Sequence, residues 1–137
     1  MTRLLSVLFI SILFVSCQDA EELKTEQYYV EGLRLYALHC ANCHQENGEG
    51  MSSLYPPLKG SNLISNKQLV PCIIRYGMKD TIIVNGKQFS RPMPANPKLT
   101  EIEIAEIVTF LNVKWGKDST YTHIDMVKQA LAECKKD

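Results

Sequence analysis

Two cysteines and a histidine carry the most specific chemistry in the chain: Cys40-Ala41-Asn42-Cys43-His44. Thiols at this spacing, followed at once by an imidazole, form the C-x-x-C-H attachment pattern of a c-type haem. Each thiol can form a thioether to one vinyl group of the same haem. The histidine then lies under the iron and can donate a ring nitrogen to it. The competing reading is a disulfide, or half of a zinc site, with an unrelated histidine beside it. A haem would also require export, an apolar pocket and a sixth ligand from the rest of the chain.

Met93, between Pro92 and Pro94, is the candidate sixth ligand. A thioether is a soft donor suited to haem iron opposite histidine, and flanking prolines hold a loop extended. Met51 and Met78 are its rivals. Met51 is too close to the attachment site to cross the ring easily. Met78 directly follows Gly77, a helix-stop residue. A buried methionine is more often packing than ligand. His123, on a separate distant helix, and His39, beside Cys40, suit the role less well.

These residues need elements to position them. Over residues 26–39, Tyr29, Gly32, Leu33, Tyr36 and Cys40 recur at three- and four-residue steps and share a helix face. Glycine inside a helix costs stability relative to alanine, so Gly32 calls for close approach by a second helix. Thr100-Glu101-Ile102-Glu103 is a capping box, opening a helix to about Lys114 with Ile104, Ile107, Val108, Leu111 and Trp115 as its stripe. Residues 65–76 predict a helix ending at Gly77. It starts near Lys67 or Gln68, because Pro71 is tolerated only in a first turn. Cys72 and Arg75 share one side of it, while Ile73 and Ile74 face more inward. Residues 81–84, Asn85-Gly86 and residues 87–90 predict a hairpin. The glycine-containing loop 45–51 has no preceding strand and no Gly-Lys-Ser/Thr ending, so it is not a phosphate loop. A last helix starts at Tyr121 or Thr122, with Ile124, Val127 and Leu131 on one side and Cys134 at its end.

Gly32, Tyr36, Cys40, Cys43 and His44 together resemble the N-terminal signature of class I cytochromes c. Pro56-Pro57-Leu58 resembles that family's Pro-x-Leu segment, and Pro92-Met93-Pro94-Ala95 resembles its methionine-ligand loop. The resemblance covers roughly residues 26–116. It implies an all-α fold, the small class I cytochrome c fold: crossing N- and C-terminal helices, haem-enclosing helices and loops, and one short hairpin. The final helix is an addition to it. It further implies one covalently attached haem c with His44 and Met93 as axial ligands. The Pro56 carbonyl, with Pro57 as neighbour and rival, would accept a hydrogen bond from the histidine's second nitrogen. Ile107 and Phe110 would cross Gly32 and Tyr36. Leu58, Ile73, Ile74 and Leu111 are candidate pocket walls, and Arg75 and Arg91 candidate partners for the haem propionates. The implied function is electron transfer by iron cycling between Fe(III) and Fe(II), not enzymatic turnover. The alternatives are a gas sensor or small haem enzyme in which Met93 dissociates, or a structural lipoprotein without haem.

The chain has 137 residues, enough for one small domain and an export segment. Formal net charge is zero, so no basic excess points to nucleic acid. Arg3 precedes an uncharged apolar run over residues 4–15, too short to span a bilayer, which reads as a signal peptide over 1–16. Phe14-Val15-Ser16-Cys17 resembles a bacterial lipobox, implying acylation of Cys17 and membrane anchorage by several acyl chains. Residues 17–25 read as a lipidated polar tether, 26–116 as the haem domain and 117–137 as a helical extension packed on it. The expectation is an exported, membrane-anchored lipoprotein facing the periplasm or cell surface. Of five cysteines, Cys72 and Cys134 remain, an even pair in an exported chain. They predict a disulfide, with two separate thiols as the alternative.

Neutrality hides a pattern. Between residues 51 and 100 the basic residues are Lys59, Lys67, Arg75, Lys79, Lys87, Arg91 and Lys98, against Asp80 alone. That predicts a positive docking face at the haem edge for an acidic redox protein partner: a respiratory complex, terminal oxidase or reductase.

Overall fold

A computed structural model describes residues 19–134. The expected signal peptide, the lipobox and Cys17 lie outside these residues. The elements are α1 (Ala20–His39), α2 (Ala41–His44), α3 (Leu69–Tyr76), β1 (Ile82–Val84), β2 (Lys87–Phe89), α4 (Glu101–Trp115) and α5 (Ile124–Glu133). None of the described helices is long and apolar enough to cross a membrane.

Helix α1 begins before residue 26, inside the stretch expected to be a tether. Asp19 caps it by accepting from the Glu21 backbone N–H, and Glu21 and Glu22 sit in its first turn. Acids there complement the helix dipole, so a run that looks like polar linker is a helix start. Its buried face is Tyr28, Gly32, Leu35 and Tyr36. Tyr29 is partly buried against Phe110, and Leu33, expected on this face, is exposed. The apolar stripe is thus rotated slightly from the expected one.

Helix α4 starts at the capping box: Thr100 accepts from Glu103 N–H, and the Glu103 carboxylate accepts from Thr100 N–H at 2.7 Å. It crosses α1 at Gly32. A methyl group added there would meet the Glu106 backbone and Phe110 Cβ, so the crossing is closed to any side chain. Phe110 stacks on Tyr36 as expected, with ring centroids 5.1 Å apart, and both meet Trp115 at 5.3 Å. The atoms nearest Gly32 belong to Glu106 and Phe110; Ile107 faces the cleft described below.

Helix α3 carries Pro71 in its first turn and stops at Gly77, whose φ is 74°. Asn85 and Gly86 both have positive φ, as a two-residue hairpin turn of this kind requires, and set the register Ile82↔Phe89 and Val84↔Lys87. The extension closes over the domain. Val127 and Ala130 of α5 are buried, Tyr121 packs on Tyr28, and Thr122 N–H donates to Thr109 Oγ1 at 2.8 Å. The expected Cys72–Cys134 disulfide is formed and joins α5 to α3.

Candidate haem-binding site

The site is built where α1 ends. Cys40 closes that helix, its N–H bonding to Tyr36 O, and at the same time opens the single turn α2. One turn therefore carries Cys43 and His44 beside Cys40. Gln45, at φ 65°, ends the turn and its carbonyl accepts from Tyr36 Oη at 2.6 Å. The chain then folds back. Gly48 O accepts from both Leu58 N–H and Lys59 N–H, at 2.8 and 2.9 Å. This brings Pro56 over the histidine: His44 Nδ1 lies 3.0 Å from Pro56 O. A carbonyl only accepts, so Nδ1 carries the proton and donates, and Nε2 keeps its lone pair. Of the two prolines left open by the sequence, Pro56 makes the contact. Such a bond orients the ring and raises its donor strength.

His44 is 8% exposed. Burial pushes its protonation below the ordinary imidazole range, opposed by the Pro56 carbonyl. The neutral form is the one that can donate to a metal. Cys40 and Cys43 are free thiols. Burial, and then the neighbouring Cys43, push the Cys40 thiol up to about 12.

All three side chains line one apolar cleft enclosing about 1010 Å³, open mouth included. Leu58, Ile73, Ile74 and Leu111 line it, as expected. So do Val70 and Ile107. The hairpin contributes Ile82, Val84 and Phe89, the strand positions that share its inner face; the apolar, β-branched run over residues 81–84 was visible in the sequence, but its role as a wall was not. Met93 and Met78 both line the cleft. Met51 does not: it is exposed and pairs with Tyr55. His39 and His123 are exposed, and His123 stacks on Tyr121.

The two arginines part company. Arg91 lines the cleft, with its guanidinium 5.0 Å from the Tyr55 ring centroid. Arg75 is not part of the lining. It donates to Pro97 O at 3.2 Å and to Glu101 Oε1 at 3.4 Å, drawn by the acid in the first turn of α4.

Two free thiols and an oriented, neutral imidazole on adjacent positions of an apolar cleft fit a covalently bound haem, and define a haem-binding helical domain. The family model for cytochrome c matches residues 29–115, and the chain belongs to that family. It is similar to cytochrome c-552 of Thermus thermophilus: 30% identical over 91 residues, covering 63% of this chain and 69% of the relative. A second Thermus thermophilus cytochrome c-552 matches equally, with 61% of its length covered. The cytochrome c subunit of a quinone alcohol dehydrogenase from Gluconacetobacter polyoxogenes is 30% identical over 105 residues. That match covers 72% of this chain and 22% of the relative. The chain therefore spans about a fifth of that subunit and less than two thirds of the second cytochrome c-552. As a cytochrome c, the protein is an exported electron carrier with covalent haem c, working with redox protein partners.

Proposed function

We propose that the protein is a lipid-anchored monohaem carrier whose iron is held between His44 and Met93. Haem supplies a reversible one-electron Fe(III)/Fe(II) couple. Cys40 and Cys43 fix the ring covalently, and His44 Nε2 is the proximal donor. The bond from His44 Nδ1 to Pro56 O is the observation that carries this reading, because it leaves Nε2 unprotonated in the cleft that Met93 also lines. With His44 and Met93 both serving as donors, the apolar walls would exclude water and small ligands, which would suit electron transfer and favour a comparatively high potential. Leu58 and Pro56 hold the proximal side, and Arg91 is the cation available to a propionate.

Cys17 is the anchor. The lipobox-like 14–17 stretch supports it, and α1 begins at Ala20, so few residues separate anchor and domain. Signal peptide 1–16, processed start at Cys17, haem domain to 116 and extension 117–137 remain the division of the chain. The docking face is narrower than basic residues alone suggest. Lys59, Lys67 and Arg75 are paired with Glu49, Asp118 and Glu101. Lys79, Lys87, Arg91 and Lys98 remain. They favour an acidic face on a respiratory complex, terminal oxidase or reductase, and the likeness to a subunit of a quinone dehydrogenase supports a larger redox enzyme as one partner.

The test is the mass of the chain purified from membranes, followed by crosslinking. One haem retained on the peptide bearing Cys40 and Cys43, and acyl chains on Cys17, are expected. An unmodified Cys17 sinks the anchor without touching the haem assignment. A rate of electron transfer to the crosslinked partner that ignores ionic strength removes the docking face.

A further inference from the structure

Two thioethers face the cleft. Met78 and Met93 form an isolated antiparallel bridge. Each backbone N–H donates to the other's carbonyl, at 3.0 Å from Met78 and 2.8 Å from Met93. Residues paired in this way are directly opposite, and their side chains emerge on the same face of the ribbon. Both residues line the cleft and both are half-buried.

The register of this pair is held from outside it. Gly77 passes so close to the methionine loop that an added Cβ would lie 2.5 Å from Met93 O and 2.8 Å from Ala95 N. Ile74 O accepts from Asn96 N at 3.0 Å and from Asn96 Nδ2 at 3.4 Å. The end of α3 and the methionine loop therefore behave as one unit, and Met78 cannot slip relative to Met93. A wall at this position needs only apolar volume, which Ile73, Ile82 and Leu111 supply elsewhere in the cleft. Methionine adds an unbranched, adaptable side chain and a soft sulfur donor.

We propose that Met78 is a reserve thioether donor for the haem, standing beside Met93 in the cleft and taking over as donor when Met93 is withdrawn. This rests on Met93 being the resident donor. The paired methionines keep the carrier closed to small exogenous ligands even when one sulfur has left.

Ferric holoprotein is compared in four forms: wild type, Met93→Ala, Met78→Ala and the double variant. Spin state is read by electron paramagnetic resonance, and thioether coordination by the far-red sulfur-to-iron charge-transfer band. Met93→Ala is expected to remain low-spin with the band present, Met78→Ala to match wild type, and only the double variant to become high-spin. Met93→Ala should also bind imidazole about tenfold more weakly than the double variant, because Met78 must first be displaced. The leucine series, Met93→Leu and Met78→Leu, keeps core volume, and helix content by circular dichroism verifies folding. High-spin Met93→Ala and Met93→Leu lacking the band would overturn the proposal while leaving Met93 as sole donor. Loss of the band in Met78→Ala but not in Met93→Ala would instead overturn the Met93 assignment, and the proposal with it.

Discussion

Gly32→Ala sets two effects of opposite sign against each other. In a free-standing helix the added methyl group would stabilise by about 1 kcal/mol, since glycine is the poorer helix former. At Gly32 that methyl would lie 2.6 Å from the Glu106 carbonyl carbon and 2.8 Å from Phe110 Cβ. The Glu106 carbonyl oxygen lies closer still, and ordinary contacts begin near 3.4 Å, so α1 and α4 must part by well over about 0.8 Å at their crossing, more than a rotamer change absorbs. The obstacle is backbone, which cannot turn aside, so the overpacking cost falls near the upper end of its usual range, about 3 kcal/mol. The net effect is a loss of about 2 kcal/mol. The ring cluster of Tyr36, Phe110 and Trp115 spans the same crossing and loosens with it. For a domain of this size the loss corresponds to a fall in Tm of about 8 °C. Thermal unfolding of the ferric holoprotein, followed by far-ultraviolet circular dichroism, measures it. A Tm unchanged or raised would show that helix propensity wins and that the two helices do not meet at Gly32 as described.

Two further outcomes concern the extension. Cys134→Ser removes the bridge to Cys72, across a sequence separation of 62, and its loop-closure limit is about 4 kcal/mol. The denaturation midpoint in guanidinium should fall markedly, and an unchanged midpoint would mean that packing of Val127 and Ala130 alone holds α5. Hydrogen bonds from Lys67 and Thr120 hold the Asp118 carboxyl down at about 2. A depressed acid stabilises fully above the unfolded carboxylate range and loses that contribution as pH falls towards its folded value. Asp118→Asn should therefore flatten the stability profile between about pH 4 and pH 2 and leave its slope above that window unchanged. Parallel wild-type and variant profiles across the window would refute the pairing.

Features encoded by short-range chemistry were legible in the sequence. The C-x-x-C-H motif, the Thr100–Glu103 capping box, the Asn85-Gly86 turn and the Gly77 stop each need only a few neighbouring residues to specify them. The Gly32–Tyr36–Cys40 spacing pointed correctly to a helix crossing, because a glycine inside a helix needs such a reason. The disulfide was legible because the other cysteines already had roles. What escaped depended on longer range or on ambiguity. Asp19 and the acids after it read equally as tether or helix cap. Tyr28, Tyr29, Leu33, Leu35 and Tyr36 spread apolar character around α1, so only the position of α4 decides which are buried. Arg75 lies at the expected place on α3, but Glu101, far along the chain, determines where its guanidinium points. The Met78–Met93 bridge brings together residues separated by the whole hairpin, and local pattern does not register such a pair.

The most direct test of a closed carrier with His44 and Met93 as axial ligands is the ferric wild-type spectrum, recorded from the visible into the far red. The account predicts low-spin iron with the sulfur-to-iron charge-transfer band, unchanged by millimolar azide. High-spin iron, or low-spin iron without that band, would contradict it.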